Sequence, residues 1–68
     1  MAKLTETESD IRRLYSEARH GAGADARWAA RDRLEDEVRR SGNSLGQFLA
    51  DRGLDLSAYF ASRPTSRA

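Results

Sequence analysis

Few side chains in this sequence have the types and spacing that catalysis requires. His20 is the single histidine, and the serines lie without the spacing of a nucleophile elbow or a catalytic triad. Asp32 and Asp36 could pair as carboxylates, but they fall on the charged face of a predicted helix, where we expect neither burial nor pKa tuning. We therefore expect a protein that is not an enzyme.

The sequence also offers little for a metal or a cofactor. It has no cysteine and one histidine, which excludes thiolate zinc sites and sites built from several histidines. A carboxylate site for Mg²⁺ or Ca²⁺ stays possible in principle, but no EF-hand spacing is present. Gly21 and Gly23 precede a helix as in a phosphate-binding loop, yet no strand comes before them and no lysine follows. We expect no bound metal and no cofactor.

Trp28 is the side chain best suited to recognition of another protein. Tryptophan and arginine are enriched at the energetic centres of protein interfaces, and Arg27 and Arg31 are close to Trp28 in sequence. If Trp28 packs against the C-terminal helices, it anchors the core. If it stays on the flank of its helix, it forms an interface with Arg27 and Arg31 as a charged rim. Both interpretations stay open.

Residues 44–62 have the outline of a helix-turn-helix motif. A short predicted helix is followed by a turn at Gly53 and by a second short helix. Arg52 departs from the pattern, because that position is usually apolar, and the second helix has few side chains that read base edges. In this alternative, duplex DNA is contacted by Ser57, Ser62, Arg63 and Arg67.

Charge and hydropathy limit the possible partners further. The chain has 12 basic and 11 acidic residues, a formal net charge of +1, and no basic block that would bind nucleic acid by charge alone. Its longest run of large apolar residues is two, Tyr59 and Phe60, which predicts no membrane span and no signal peptide. We expect a cytoplasmic protein, and the frequent arginine and alanine are typical of a GC-rich bacterial, plasmid or phage gene.

The length predicts one domain over residues 1–68 with a thin core. Leu, Ile, Val and Phe together number 11, about 16 % of the 68 residues and below the rough 20 % at which disorder becomes a concern. Disorder also calls for a large net charge, which is absent. We therefore predict a small folded all-α domain that gains stability from a partner.

Periodicity and capping residues predict an antiparallel helical hairpin followed by two short helices. The hairpin comprises residues 7–20 and 25–41, with Thr5 or Thr7 capping the first helix and Asp25 the second. The short helices comprise residues 44–52 and 55–63, capped by Ser44 and Asp55. Residues 1–6 and 64–68 are predicted to be poorly ordered ends. The predicted core consists of Ile11, Leu14, Tyr15, Ala18, Ala30, Leu34, Val38, Leu45, Phe48, Leu49, Leu54, Leu56 and Phe60.

These observations together favour a non-enzymatic interaction protein. We expect it to bind another protein or to associate with itself, in the manner of a small plasmid- or phage-type accessory regulator. The helix-turn-helix DNA-binding protein is the alternative.

Overall fold

The computed structural model describes residues 7–64, and these form four helices and no strand. They are α1 (Glu8–His20), α2 (Ala24–Ser41), α3 (Leu45–Ala50) and α4 (Leu56–Ala61). Helices α1 and α2 pack against each other as the predicted antiparallel hairpin, so the all-α fold is confirmed. None of the helices within residues 7–64 is long and apolar enough to cross a membrane.

Three of the predicted helix caps are confirmed. The side-chain oxygens of Thr7, Ser44 and Asp55 accept backbone N–H groups at 3.1, 3.2 and 3.0 Å, which satisfies donors that the first helical turn leaves without partners. The prediction for Asp25 is wrong, because Gly23 is the N-cap of α2 and has no side chain to accept a bond. Asp25 lies in the first turn instead, where its charge suits the helix dipole.

Glycines end both helices of the hairpin for different physical reasons. Gly42 follows α2 with φ +79°, a left-handed conformation that side chains with a Cβ rarely adopt. Gly21 follows α1 with an ordinary φ of −57°, but a Cβ at this position would lie 2.6 Å from the carbonyl oxygen of Glu17. Because Gly21 has no Cβ, the backbone can pass close to the Glu17 carbonyl and turn towards α2.

Most of the predicted core is confirmed. The buried apolar residues are Ile11, Leu14, Tyr15, Ala18, Ala30, Leu34, Val38, Phe48, Leu49 and Tyr59, and Leu45, Leu54 and Leu56 pack partly buried against them. The prediction for Phe60 is wrong, since 54 % of this residue is exposed. Tyr59 and Phe60 are adjacent on α4 and point about 100° apart, and here Tyr59 faces the core while Phe60 faces outward.

Two charged residues of α2 lie inside the fold. Arg31 and Glu37 are each 2 % exposed. Pro64, the last of the described residues, is buried as well. The predictions for residues 1–6 and 65–68, including the Thr5 cap and the DNA contact of Arg67, lie outside the described residues.

Candidate functional site

The candidate site is the space between α2 and α4. Helix α4 packs on α1 and α3, whereas among the described helices no Cα atom of α2 lies within 8 Å of one in α4. Long side chains from α2 cross this gap. They hold α4 in place and leave an open groove beside them.

Arg27 and Arg31 join α2 to the end of α4 through backbone carbonyl groups. Arg27 donates a hydrogen bond from Nη2 to the carbonyl oxygen of Ser62, the C-cap of α4. Arg31 donates from Nη2 to the carbonyl of Tyr59 at 2.6 Å and from Nη1 to the carbonyl of Ala18 at 3.3 Å. The last carbonyls of a helix have no intrahelical partner and carry partial negative charge, so arginine suits these positions.

The guanidinium of Arg31 also lies on the ring of Tyr59. Its Cζ atom is 4.0 Å from the ring centroid, within the range of a cation–π contact. Burial lowers the pKa of Arg31, because removal from water disfavours the charged form. The nearby Tyr59 and Glu35 oppose that effect. Arg31 is therefore a structural cation held by carbonyls, an aromatic ring and a neighbouring carboxylate.

Tyr59 connects this arginine to the carboxylate of Glu35. Tyr59 is fully buried, stacks on Tyr15 with ring centroids 6.1 Å apart, and donates its hydroxyl to Oε2 of Glu35 at 2.7 Å. Burial, followed by the hydrogen bond to Glu35, raises the pKa of the Tyr59 hydroxyl above its usual value of 10. The hydroxyl is thus a fixed hydrogen-bond donor at neutral pH.

A groove of about 250 Å³ lies over this cluster. Its lining consists of Trp28, Arg31, Asp32, Glu35, Leu45, Tyr59, Phe60 and Arg63. Phe60 is its most exposed apolar side chain, and Trp28 is half-buried. The guanidinium of Arg63 lies 5.2 Å from the Trp28 ring centroid. The groove therefore presents aromatic surface between charges of both signs.

The three predicted interface residues differ in whether they face the groove or bond to the fold. Trp28 lines the groove, as the interface interpretation requires, but half of its surface is covered by the fold. Arg27 and Arg31 do not form an exposed rim, since both donate to backbone carbonyls of the core. Asp32 and Arg63 provide the exposed charges of the groove instead.

The residues proposed for DNA contact differ in exposure within residues 7–64. Ser57 and Arg63 are exposed. Ser62 is half-buried, its hydroxyl donates to the carbonyl of Tyr59 at 3.1 Å, and its own carbonyl accepts from Arg27. Helix α4, the predicted recognition helix, has six residues.

Five residues of the groove were not predicted as site residues from the sequence, namely Asp32, Glu35, Leu45, Tyr59 and Phe60. The signal for Arg31 was present, because Arg31, Leu34 and Val38 are spaced i, i+3 and i+7 and so share one helix face. The pairing of Glu35 with Tyr59 spans 24 residues and has no local signature.

The single histidine of the sequence does not line this groove. His20 is exposed at the end of α1. Within residues 7–64 no group of three or more His, Asp or Glu side chains is placed to hold a metal ion.

Comparisons with models of protein families, with curated proteins and with solved structures found no match to this chain.

Proposed function

We propose that this chain is a non-enzymatic interaction protein that binds a protein surface through the groove between α2 and α4. The observation that carries the proposal is Phe60. It is 54 % exposed at the edge of a groove that already contains Trp28. Aromatic side chains in partly covered pockets are typical centres of binding energy in protein interfaces. A regulatory role, in which the chain acts by occupying a site on its partner, follows from such binding.

The size and charge of the groove favour a protein over the other ligand classes. Its volume of about 250 Å³ is below the roughly 300–1,000 Å³ of small-molecule sites. Its lining has two arginines, Arg31 and Arg63, and two carboxylates, Asp32 and Glu35, so the formal charges sum to zero. A phosphate backbone requires a positive surface, and this balance does not favour it.

Photo-crosslinking from the groove tests the proposal. Phe60→p-benzoylphenylalanine in the full chain, expressed in cells that carry its gene, is expected to give a discrete crosslinked adduct. The adduct should disappear when Trp28→Ala is added, provided that circular dichroism shows unchanged helicity. The same photoreactive residue at the exposed Arg13 of α1 is the matched control and should not give this adduct. Absence of a Trp28-dependent adduct of any mass overturns the proposal.

DNA binding through residues 44–63 remains the alternative and is tested separately. It requires affinity for duplex DNA that falls steeply as salt increases, with Arg63→Ala reducing both affinity and the salt slope. Retained binding by Trp28→Ala together with loss by Arg63→Ala would favour DNA over a protein partner.

A further inference from the structure

We infer that the occupant of this groove is a second copy of the chain, related by a two-fold axis that places each Phe60 in the groove of the other copy. The inference rests on the proposed function and commits it to one partner. In such a dimer the same patch serves both copies, so a residue that donates a contact also receives one. The groove must then carry both the inserting group and the space that accepts it.

The first requirement is a side chain that protrudes beside a cavity of matching size. Phe60 is the large apolar side chain that residues 7–64 leave exposed, and it stands on the groove's own edge. A cavity of roughly 150 Å³ accepts a benzene molecule. The groove, at about 250 Å³, therefore has room for one phenyl ring. The ring would meet Trp28 and the half-buried Leu45.

The second requirement is a charge pattern that complements its own two-fold image. Asp32 and Arg63 are exposed residues of the groove with opposite charges. Rotation about a two-fold axis brings Arg63 of one copy towards Asp32 of the other, and the reverse contact forms at the same time. A partner with a strongly charged surface of one sign would meet one attractive and one repulsive group at this groove.

Sedimentation equilibrium of the full chain over micromolar to millimolar concentrations tests the dimer. The wild-type chain is expected to dimerise, with Trp28 fluorescence changing over the same concentration range. Phe60→Ala removes two buried phenyl groups per dimer and should raise the dissociation constant by at least about tenfold. Ser57→Ala, an exposed change on the same helix, should leave the constant unchanged. Circular dichroism checks that each variant keeps its helicity.

Charge reversal distinguishes contacts between copies from contacts within one copy. Asp32→Arg alone and Arg63→Asp alone should each weaken the dimer, because each creates two like-charge contacts. An equimolar mixture of the two variants should recover dimerisation as a heterodimer, since both contacts then join opposite charges. A contact within one copy would not be restored by mixing, and a mixture that stays monomeric overturns the two-fold arrangement.

The crosslinking experiment separates failure of this inference from failure of the proposed function. An adduct of twice the chain mass supports the second copy. A Trp28-dependent adduct with a different protein, together with a monomeric purified chain, overturns the second copy and leaves the interaction proposal standing. No adduct from position 60 overturns both.

Discussion

Arg31 and Arg52 lie on aromatic rings in the same manner, but they differ in burial and in the partner of their charge. Arg31 is 4.0 Å from the centroid of Tyr59 and donates to the Tyr59 carbonyl. Arg52 is 3.7 Å from the centroid of Phe48 and donates to the Phe48 carbonyl at 2.9 Å. In both cases one arginine covers the ring and caps the carbonyl of the same residue.

The two arginines differ in the groups that bind their positive charge. Arg52 keeps 15 % of its side chain exposed and contacts both carboxylate oxygens of Glu8 at 2.9 and 3.0 Å. Glu8 is itself 59 % exposed, so water shares in this ion pair. Arg31 is 2 % exposed and adds the carbonyl of Ala18 to its partners. Water can take the place of Arg52 in the ion pair with Glu8 at a small cost in free energy. It cannot readily take the place of Arg31 at its carbonyl partners.

This difference explains how a chain with so few large apolar residues forms a closed fold. The arginine at the centre occupies volume that a short apolar side chain would leave empty. It also satisfies carbonyls of two helices at once. Arg52 fastens the start of α1 to the end of α3 from outside. We therefore expect the substitutions below to lower the free energy of unfolding by amounts that decrease from Arg31 to Glu8.

Arg31→Met should have the largest effect. Methionine keeps much of the side-chain length, but it removes the Arg31 donor from the carbonyl of Ala18 and leaves the carbonyl of Tyr59 with the hydroxyl of Ser62 alone. We expect the free energy of unfolding to fall by about 3 kcal/mol. Urea unfolding followed by circular dichroism measures the change. Arg39→Met, at a side chain 71 % exposed, is the control and should change stability by less than about 0.5 kcal/mol. Equal losses for the two variants would contradict the structural role of Arg31.

Tyr59→Phe should have the next largest effect. The change keeps the ring under Arg31 and removes the hydroxyl that donates to Glu35. Since the acceptor is charged but half-buried, we expect a loss of about 1–2 kcal/mol. A double-mutant cycle with Glu35→Ala should give a coupling energy of about 1 kcal/mol, because each of the two changes removes the one hydrogen bond that the residues share. A coupling of zero would show that the bond does not form in solution.

Alkaline pH tests the raised pKa of the Tyr59 hydroxyl, because titration removes its proton and leaves the side chain otherwise unchanged. The pKa of Tyr59 is raised in the folded protein, so its stabilising effect is complete below the unfolded pKa of about 10. Above that pH the unfolded chain releases the proton while the folded chain retains it, and stability falls as pH rises. Urea unfolding at pH 9 to 11 should show a smaller alkaline loss for Tyr59→Phe than for the wild type. Identical losses would contradict the raised pKa.

The parts of the fold that depend on neighbouring residues were predictable from the sequence. Thr7, Ser44 and Asp55 cap helices through bonds to residues two or three positions away, and a local pattern suffices to find them. The apolar stripe of α2 followed from helical spacing in the same way. Gly23 shows the limit of this reasoning, because a helix can begin without a side-chain cap where the turn before it is short.

The candidate site depends on residues distant in sequence and could not be predicted in the same way. Arg31 was predicted as part of a charged rim beside Trp28, although its spacing puts it on the same helix face as Leu34. The carbonyls that make its burial favourable belong to α1 and α4. Likewise, Tyr59 is the buried ring of α4, and its hydroxyl bonds to Glu35, a residue 24 positions away in the sequence.

Arg52→Met extends the comparison to the surface. It removes the hydrogen bond to the Phe48 carbonyl and the ion pair with Glu8, and water can reach the carboxylate of Glu8. We expect a loss of about 1 kcal/mol, roughly a third of the loss at Arg31, in the same urea experiment. A loss as large as that of Arg31→Met would show that burial does not distinguish the two arginines.

Glu8→Gln should have the smallest effect, and its response to salt gives the sharpest contrast. Glutamine keeps the shape of the side chain and removes the charge facing Arg52, which at an exposed ion pair is worth about 0.5 kcal/mol or less. At 1 M NaCl the Debye length is about 3 Å, so the difference between Glu8→Gln and the wild type should vanish. The loss caused by Arg31→Met should persist at the same salt concentration, because backbone carbonyls rather than a solvated ion surround that guanidinium. If salt reduced both losses equally, Arg31 would be solvated like Arg52, and the contrast between the two arginines would fail.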